Sequence, residues 1–458
     1  MEQRVKKTIE ESASLSEAFE RFLHSLGDWI AECRSDLADV LPIDGHDQAT
    51  YTVAWNPHIL ARQDRESLEY LKDLRDQIRA HFEVSGAWKH GYWTMQEAHH
   101  GTEHYELFLG NLWQLDPSDQ QTVAQMVDVA EHMGNWSAEV PDWFCWEKGL
   151  FHSFHFGADG IDEEEREAGS INSPEHFRCV NICLYAYRMT GEDRYLNLSR
   201  RFAQRWADAL LDKATLLPVL LGDEGVLYSR DDHDDYYAHV EKHPESGLLD
   251  NVDRAENFLA SGVPRSFLDL WQITGNPAFR RAAEVIIDVV STQIKDHDAG
   301  CGVDVMRRYR DRTGDFKYDD LVVRTVEDLA PYSFQEVAFE PHTRRTTDES
   351  TISGHTVGIG KRADKPYWYE DGSEARHNPI LLSLAAEIAD DRQLALRSLD
   401  SARTYFDLAR EVYDHGHRHG CGSQSVSAIA RGNGRENNSG MVTAVLEPLM
   451  RRYYPCWR

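Results

Sequence analysis

A histidine-rich stretch between Trp88 and Leu115 carries most of the side chains in this sequence that could transfer protons. Its histidines are interleaved with glutamates and a tyrosine: His90, His99, His100, His104, Glu97, Glu103, Glu106 and Tyr105. Histidine titrates near neutral pH, and tyrosine can act as an acid or a base when its pKa is lowered. We therefore predict four catalytic residues: His100, Glu103, His104 and Tyr105.

The same stretch offers a metal-binding alternative. His100 and His104 are spaced i, i+4, and such a pair with nearby carboxylates can bind a divalent metal. The sequence departs from the HExxH pattern, because Glu103 directly precedes His104. We therefore expect no cofactor, and a divalent metal stays the alternative to proton transfer.

Helical periodicity predicts how the stretch is positioned. If residues 97–115 form one helix, an apolar stripe (Ala98, Tyr105, Phe108, Leu109 and Leu112) lies beside a polar stripe (His100, His104 and Asn111). Gly101 weakens this prediction. Thr102 could instead cap the helix, which would place His99 and His100 on the preceding loop.

An aromatic segment at residues 143–157 is a candidate binding surface. It contains six aromatic residues and two histidines in fifteen residues. Flat aromatic faces stack on sugar rings, so we predict that Trp143 and Trp146 contact a substrate. The alternative is an aromatic core plug between helices.

Two predicted helix starts carry groups that could bind an anion. His176, Arg178 and Asn181 stand at the first, and Arg254 and Asn257 stand at the analogous place in a later helix. Arginine with asparagine or histidine at helix N-terminal ends could neutralise a carboxylate. The alternative is a salt bridge that caps the helix.

An acidic run at residues 231–235 matches the DDxxD and DxDD patterns of terpene synthases and cyclases. No second metal-binding motif of the NSE type, which those enzymes carry, follows it downstream. We interpret the run as a solvated acidic loop, and we predict that Tyr236 beside it contacts the substrate.

A recurring junction indicates the elements that position these groups. Thr190-Gly191, Thr274-Gly275 and Thr313-Gly314 each end one predicted helix and precede another. Glycine suits the position after a helix end, where φ is positive. The spacings of 84 and 39 residues give a helical hairpin of about 40 residues as the repeating unit.

Six or seven such hairpins fit the chain. Aromatic-rich, His-rich and Arg-rich loops between them favour closure into a ring with a central cleft, rather than an open superhelix. We therefore predict an all-α toroid over residues 51–458, with a helical N-terminal arm at residues 1–50 packed outside it. A short β excursion is expected at residues 216–228, around Gly222-Asp223-Glu224.

The Thr-Gly-Asp/Glu-x-x-Tyr/Phe junctions resemble those of carbohydrate-active α/α toroid enzymes, including polysaccharide lyases and unsaturated glucuronyl hydrolases. The resemblance covers roughly residues 100 to 410. It implies an (α/α)6 or (α/α)7 toroid and an acidic glycan or oligosaccharide as substrate. The scaffold carries several chemistries, so the junctions alone select no single activity.

Composition excludes several other classes. The net charge of −29 opposes binding to nucleic acid or to an anionic membrane. No apolar run approaches the roughly 20 residues of a membrane helix, so we expect a cytoplasmic protein. Seven scattered cysteines without CxxC argue against a disulfide framework or a zinc ribbon. An acidic surface poor in lysine is typical of salt-adapted proteins, so a halophilic source is a hypothesis.

The leading functional hypothesis is a lyase that cleaves uronic-acid-containing glycans by β-elimination. Arg178 or Arg254, with Asn181 or Asn257, would neutralise the carboxylate, and a histidine or tyrosine would move the protons. The alternative is a glycoside hydrolase with a carboxylate pair, such as Glu103 with Asp142 or Asp253. A non-catalytic helical scaffold is the third hypothesis.

Overall fold

The computed structural model describes residues 5–8, 12, 14–36, 38, 49–98, 101–167, 169–212, 216–227, 254–255, 258–259, 261–294, 300–329, 336–339, 379–412 and 441–454. Helices dominate these ranges. They are α1 (Leu15–Asp36), α2 (Asn56–Arg62), α3 (Arg65–Val84), α4 (Gly110–Leu115), α5 (Gln120–Met133), α6 (Glu163–Glu167), α7 (Phe177–Thr190), α8 (Asp193–Leu211), α9 (Val263–Thr274), α10 (Pro277–Val290), α11 (Gly300–Thr313), α12 (Asp319–Leu329), α13 (Pro379–Ala389), α14 (Arg392–Val412) and α15 (Met441–Tyr453).

The strands in the described ranges are two to four residues long. They are β1 (Val5–Thr8), β2 (Gln96–Glu97), β3 (Phe144–Cys145), β4 (Leu150–Phe151), β5 (His155–Phe156), β6 (Leu220–Gly222), β7 (Gly225–Leu227) and β8 (Glu336–Phe339). They form antiparallel pairs: β1 with β8, β2 with β5, β3 with β4, and β6 with β7. The predicted all-α class with short β excursions is confirmed, and the closure of the hairpins into a ring stays a prediction.

The three Thr-Gly junctions share one structure. Gly191, Gly275 and Gly314 have φ values of 76°, 71° and 67°. Each preceding threonine donates its hydroxyl to the carbonyl four residues earlier and accepts the backbone N–H two residues later. The aromatic residue that closes each motif is buried: Tyr195, Phe279 and Tyr318. The predicted helix ends are therefore confirmed, and the left-handed glycine is what reverses the chain.

Gly191→Ala is expected to lower the free energy of unfolding by about 1 to 2 kcal/mol, because an L-residue is strained at positive φ. No atom lies within 4 Å of an added Cβ, so the loss would come from the backbone alone. Gly160→Ala is the control, since its Cβ would meet only Met95 Cε, at 3.9 Å, and its φ is not positive. Urea unfolding of both variants measures the difference, and equal losses would contradict the explanation.

Contacts divide the chain into two compact units. The first contains residues 1–73 and 293–458, and its core joins α1 to α14 and α15. Phe22 and Trp29 contact Phe406, with ring centroids 6.0 and 5.4 Å apart, and Phe19 contacts Tyr454 at 5.3 Å. The predicted boundary at residue 50 stays a prediction.

The second unit contains residues 74–292. Within it α7 pairs with α8 and α9 pairs with α10, while α5 packs on α7 and α10 packs on α8. Phe177 lies at the centre of an aromatic core, in ring contact with Phe202, Trp206 and Phe267. All the residues of the candidate active site that the structure describes belong to this unit.

Two helix predictions need correction. The N-terminal arm at residues 1–50 is predicted to be helical, but Val5–Thr8 pairs as a strand with β8, a partner distant in sequence. Residues 97–115 do not form one helix either. Gln96–Glu97 is a strand, and a π-helix at His104–Leu109 leads into α4. The Thr102 carbonyl accepts the N–H groups of Tyr105 and Glu106, so the helix starts near Thr102, as in the alternative prediction.

The β excursion predicted at residues 216–228 is confirmed by the antiparallel pairing of β6 with β7, in the register Leu220 to Leu227. Among the cysteines whose side chains are described, Cys145, Cys179 and Cys183 are free thiols. Among the helices of the described ranges, none combines the length and the apolar character needed to cross a membrane.

Candidate active site

An ion-pair cluster joins the π-helix to the starts of α7 and α9. Glu106 lies at its centre. Its Oε2 accepts Nη1 of Arg178 at 3.2 Å, and its Oε1 accepts Nδ2 of Asn181 at 2.7 Å and Nη2 of Arg265 at 3.2 Å. Nη2 of Arg178 also lies 3.7 Å from Oε1 of Glu103. Two carboxylates and two guanidinium groups therefore balance each other in charge.

This cluster brings together three residues that the sequence predicted in separate stretches: Glu103, Arg178 and Asn181. All three are buried, and Arg178 and Glu103 are 0 % exposed. The guanidinium group of Arg178 faces carboxylates of its own chain, so this geometry does not support its predicted contact with a substrate. It fits the alternative, a salt bridge at the helix start.

Arg265 is the member of the cluster that the sequence prediction missed. Its side chain is 15 % exposed, more than the other charged members. It stands in the first turn of α9, after Gly262 and Pro264. Proline in the first turn is a common helix-start signal and could have located this position.

The structure places His104 and Tyr105 in an aromatic core. The ring of His104 contacts Trp88, Tyr105 and Phe108, with centroids 5.0 to 5.4 Å apart. Burial, with the nearby charge of Arg79, lowers the pKa of His104 to about 3. Burial raises the pKa of Tyr105 far above its usual range, and its hydroxyl donates to the Gly91 carbonyl.

Both side chains are therefore neutral at any ordinary pH, and neither is more than 2 % exposed. The prediction that they transfer protons has no support in this arrangement, because a general acid or base must reach the substrate and titrate near the working pH. They serve as packing residues here.

The aromatic segment also turns mostly inward. Trp143 is fully buried, donates Nε1–H to the Gly157 carbonyl at 3.2 Å and contacts Tyr92 and Phe156. Its predicted sugar contact is therefore wrong, since no face of the ring reaches solvent. Trp146 is 38 % exposed while its Nε1–H donates to the Gly134 carbonyl, so its sugar contact stays a prediction.

His176 and Arg254 are engaged inside the protein. His176 is buried; its Nε2 donates to the Ser153 carbonyl at 3.1 Å and its Nδ1 accepts the Ser173 N–H at 3.2 Å. Burial lowers the pKa of His176, so it is a neutral cap. Arg254 donates Nη1 to the Leu217 carbonyl at 2.8 Å and is 5 % exposed. Neither geometry supports a substrate contact.

The remaining predicted residues lie outside the described ranges: His100, Asn257 and Tyr236.

A histidine–carboxylate pair formed by β5 and α6 is the group best arranged for proton transfer. His155 Nδ1 lies 2.6 Å from Oε1 of Glu165. The other oxygen, Oε2, accepts the backbone N–H groups of Phe154 and His155, at 2.8 and 2.9 Å. The His155 side chain is 22 % exposed. A carboxylate held in this way fixes the orientation of the imidazole ring.

The two pKa shifts agree with this pairing. Burial lowers the pKa of His155, but the hydrogen bond to Glu165 and the charges of Glu165, Glu97 and Asp162 outweigh it, so its pKa is raised. Burial raises the pKa of Glu165, but its bonds to His155 and to the backbone outweigh it, and its pKa is lowered. Each shift favours the charged form of its group, an imidazolium beside a carboxylate.

The fold places this pair beside the histidine-rich stretch. Glu97 and His155 are partners in the β2–β5 register, and the Ala98 N–H donates to the Phe154 carbonyl at 2.9 Å. The Ser153 carbonyl in turn accepts Nε2–H of His176, the residue that directly precedes α7. The β2–β5 pair thus connects the start of the π-helix with the start of α7. π-Helical turns are rare and often occur at functional sites.

The sequence carried a signal for this pair. His155 ends an aromatic segment, and Asp162 and Glu165 follow it within one short acidic run. The ligand atoms of His155, Asp162 and Glu165 all lie within 4.8 Å of one another, so these three could also hold a divalent metal.

No protein-family model and no curated protein sequence matches this chain. Solved structures are similar to it at low identity. A D-mannose isomerase has a TM-score of 0.47 and 10 % identity, covering 83 % of this chain and 100 % of the other. An unsaturated glucuronyl hydrolase specific for heparin has a TM-score of 0.45 and 10 % identity, with coverage of 95 % and 97 %.

A cellobiose 2-epimerase from Bacillus thermoamylovorans has a TM-score of 0.42 and 10 % identity, covering 68 % of this chain and 88 % of the other. With TM-scores below 0.5, these similarities assign neither a family nor an activity to the chain.

Proposed function

We propose that this chain is a carbohydrate-active enzyme that cleaves uronic-acid-containing glycans by β-elimination, with His155 as the proton donor. The observation that carries the proposal is the His155–Glu165 pair. It supplies a partly exposed imidazole, whose pKa Glu165 raises, on the strand pair next to the histidine-rich stretch.

In the proposed reaction a base removes the proton from C5 of the uronate, beside its carboxylate. The electron pair forms a double bond between C4 and C5, and the bond between C4 and the bridging oxygen breaks. His155 gives its proton to that oxygen as it leaves. For the base we keep the sequence prediction of His100, and for the charge that balances the carboxylate we propose Arg265, the most exposed cation of the ion-pair cluster.

The state of Glu103 supports a lyase over the alternative hydrolase. A glycoside hydrolase uses two carboxyl groups that flank the bond to be cleaved. Glu103, the carboxyl group that the sequence suggested for such a pair, is fully buried and faces Arg178. In the proposed site the proton donor is the His155 imidazole and not a carboxylic acid.

Incubation of the full chain with a panel of uronate polysaccharides tests the proposal. β-Elimination creates a conjugated double bond, so we expect new reducing ends together with ultraviolet absorbance of the unsaturated product. Reducing ends without that absorbance would overturn the lyase in favour of the hydrolase. A folded chain that cleaves no acidic glycan would favour the non-catalytic scaffold. Neutral polysaccharides of the same length serve as the control.

A further inference from the structure

We propose that this chain binds a divalent transition-metal ion, of which zinc is the representative, at His90, Asp128 and His132. This His–Asp–His cluster shares no residue with the proposed catalytic pair. The inference therefore goes beyond the proposed function and does not depend on it.

The geometry of the cluster fits a shared ion. Nδ1 of His90 lies 2.9 Å from Oδ1 of Asp128, and Nε2 of His132 lies 3.6 Å from the same oxygen. The two imidazole rings are 4.2 Å apart, and the three ligand atoms all lie within 4.8 Å of one another. Ligands about 2.0 to 2.1 Å from a tetrahedral zinc ion are separated by roughly 3.4 Å. The observed separations lie on both sides of that value.

Local structure brings the ligands to one place. Asp128 and His132 are spaced i, i+4 on α5, so they share a face of the helix. His90 follows α3 in a turn, with φ of 54°. A metal ion would therefore fasten this turn to α5.

His132 gives an independent indication that a ligand is missing. It is 3 % exposed, and its Nδ1 has no hydrogen-bond partner among the described residues. Its Nε2 points at Asp128 from a distance longer than a good hydrogen bond. A metal ion bound to Nε2 would replace this long contact with a strong interaction.

The surroundings resemble the outer shell of a metal site. A histidine that binds a metal usually donates its other ring N–H to a carboxylate, and His90 Nε2 lies 2.7 Å from Oε2 of Glu139. Nη2 of Arg79 donates to Oδ2 of Asp128, so Oδ1 is the carboxylate oxygen that would bind the ion. Two imidazole nitrogens and one carboxylate oxygen suit zinc or a similar ion, with a fourth position for water.

The test uses the full chain, stripped with a chelator and titrated with zinc. We expect it to take up about one zinc ion with a rise in Tm, because an ion that binds only the folded state stabilises it. His90→Asn and His132→Asn should each lose this ion and the Tm rise. Glu139→Gln should weaken binding by about 10-fold or more, as expected for an outer-shell partner.

His24 and Asp28 provide a matched control. They are also spaced i, i+4 with a nitrogen–oxygen distance of 3.6 Å, but their side chains are 79 % and 52 % exposed. His24→Asn should leave zinc uptake unchanged. His155→Asn should also keep the ion, which separates this cluster from the one at His155.

Zinc uptake that persists in both His90→Asn and His132→Asn would overturn the proposal, as would a folded wild-type chain that takes up no zinc at micromolar concentration. If the variants do not fold, X-ray absorption of the zinc-loaded wild-type chain decides. Two imidazole ligands and an oxygen ligand support the proposal, and sulfur ligation overturns it.

Discussion

Arg178→Met is expected to lower the free energy of unfolding by about 3 to 5 kcal/mol, the usual cost of removing one partner of a buried ion pair. Arg178 is fully buried between Glu103 and Glu106. Methionine keeps much of the apolar stem, so the loss would come mainly from two carboxylates left in a dry environment. Denaturant unfolding followed by circular dichroism measures it.

Arg280→Met is the matched control for this variant. Arg280 pairs with Glu284 at 2.9 Å on the surface of α10, and the two side chains are 29 % and 22 % exposed. Loss of this ion pair should lower the free energy of unfolding by less than about 1 kcal/mol, because solvent screens such pairs. If Arg178→Met instead keeps its stability and loses activity only on charged glycans, the substrate contact predicted from the sequence is its true role.

His155→Gln is expected to lower turnover on uronate glycans by roughly a hundredfold or more, the usual contribution of one general acid. The fold should persist, since His155 is partly exposed and glutamine can still reach Glu165. His152→Gln, three residues earlier in the same aromatic segment, is the control and should change turnover little. Steady-state kinetics on a cleavable glycan compare the two, and wild-type turnover in His155→Gln would remove His155 from the mechanism.

The pH profile separates the proton donor from its positioning residue. Protonated His155 is the active form, so turnover should hold below its raised pKa and fall as pH rises through it. Glu165→Gln removes the hydrogen bond and the charge that raise this pKa. Its alkaline limb should therefore move to lower pH, while His155→Gln should lose that limb altogether.

The same two pKa shifts make the stability of the fold depend on pH. The contribution of His155 is complete below its unfolded pKa of about 6.5 and is lost as pH rises through the raised folded value. The contribution of Glu165 is present above its unfolded pKa of 4.5 and is lost as pH falls through the lowered folded value.

For the turnover profile, an alkaline limb that is unchanged in Glu165→Gln would show that Glu165 only supports the loop.

Local signals in the sequence were enough to predict much of the fold. The three Thr-Gly junctions and the β6–β7 hairpin each follow from residues within a few positions of one another. A left-handed glycine or an amphipathic stripe acts through the backbone preferences of its own segment. The pairing of β1 with β8 left no such local trace, because residues 5–8 pair with residues 336–339, far along the chain.

Only the tertiary structure decided what the candidate site residues can do. The sequence showed that His104, Tyr105 and Arg178 have the chemistry for catalysis or anion binding. Packing placed His104 and Tyr105 in an aromatic core and paired Arg178 with two carboxylates. It also set His155 against Glu165 across a turn. Burial and distant charges determine whether a side chain titrates or reaches solvent, and residue type and spacing along the chain do not encode them directly.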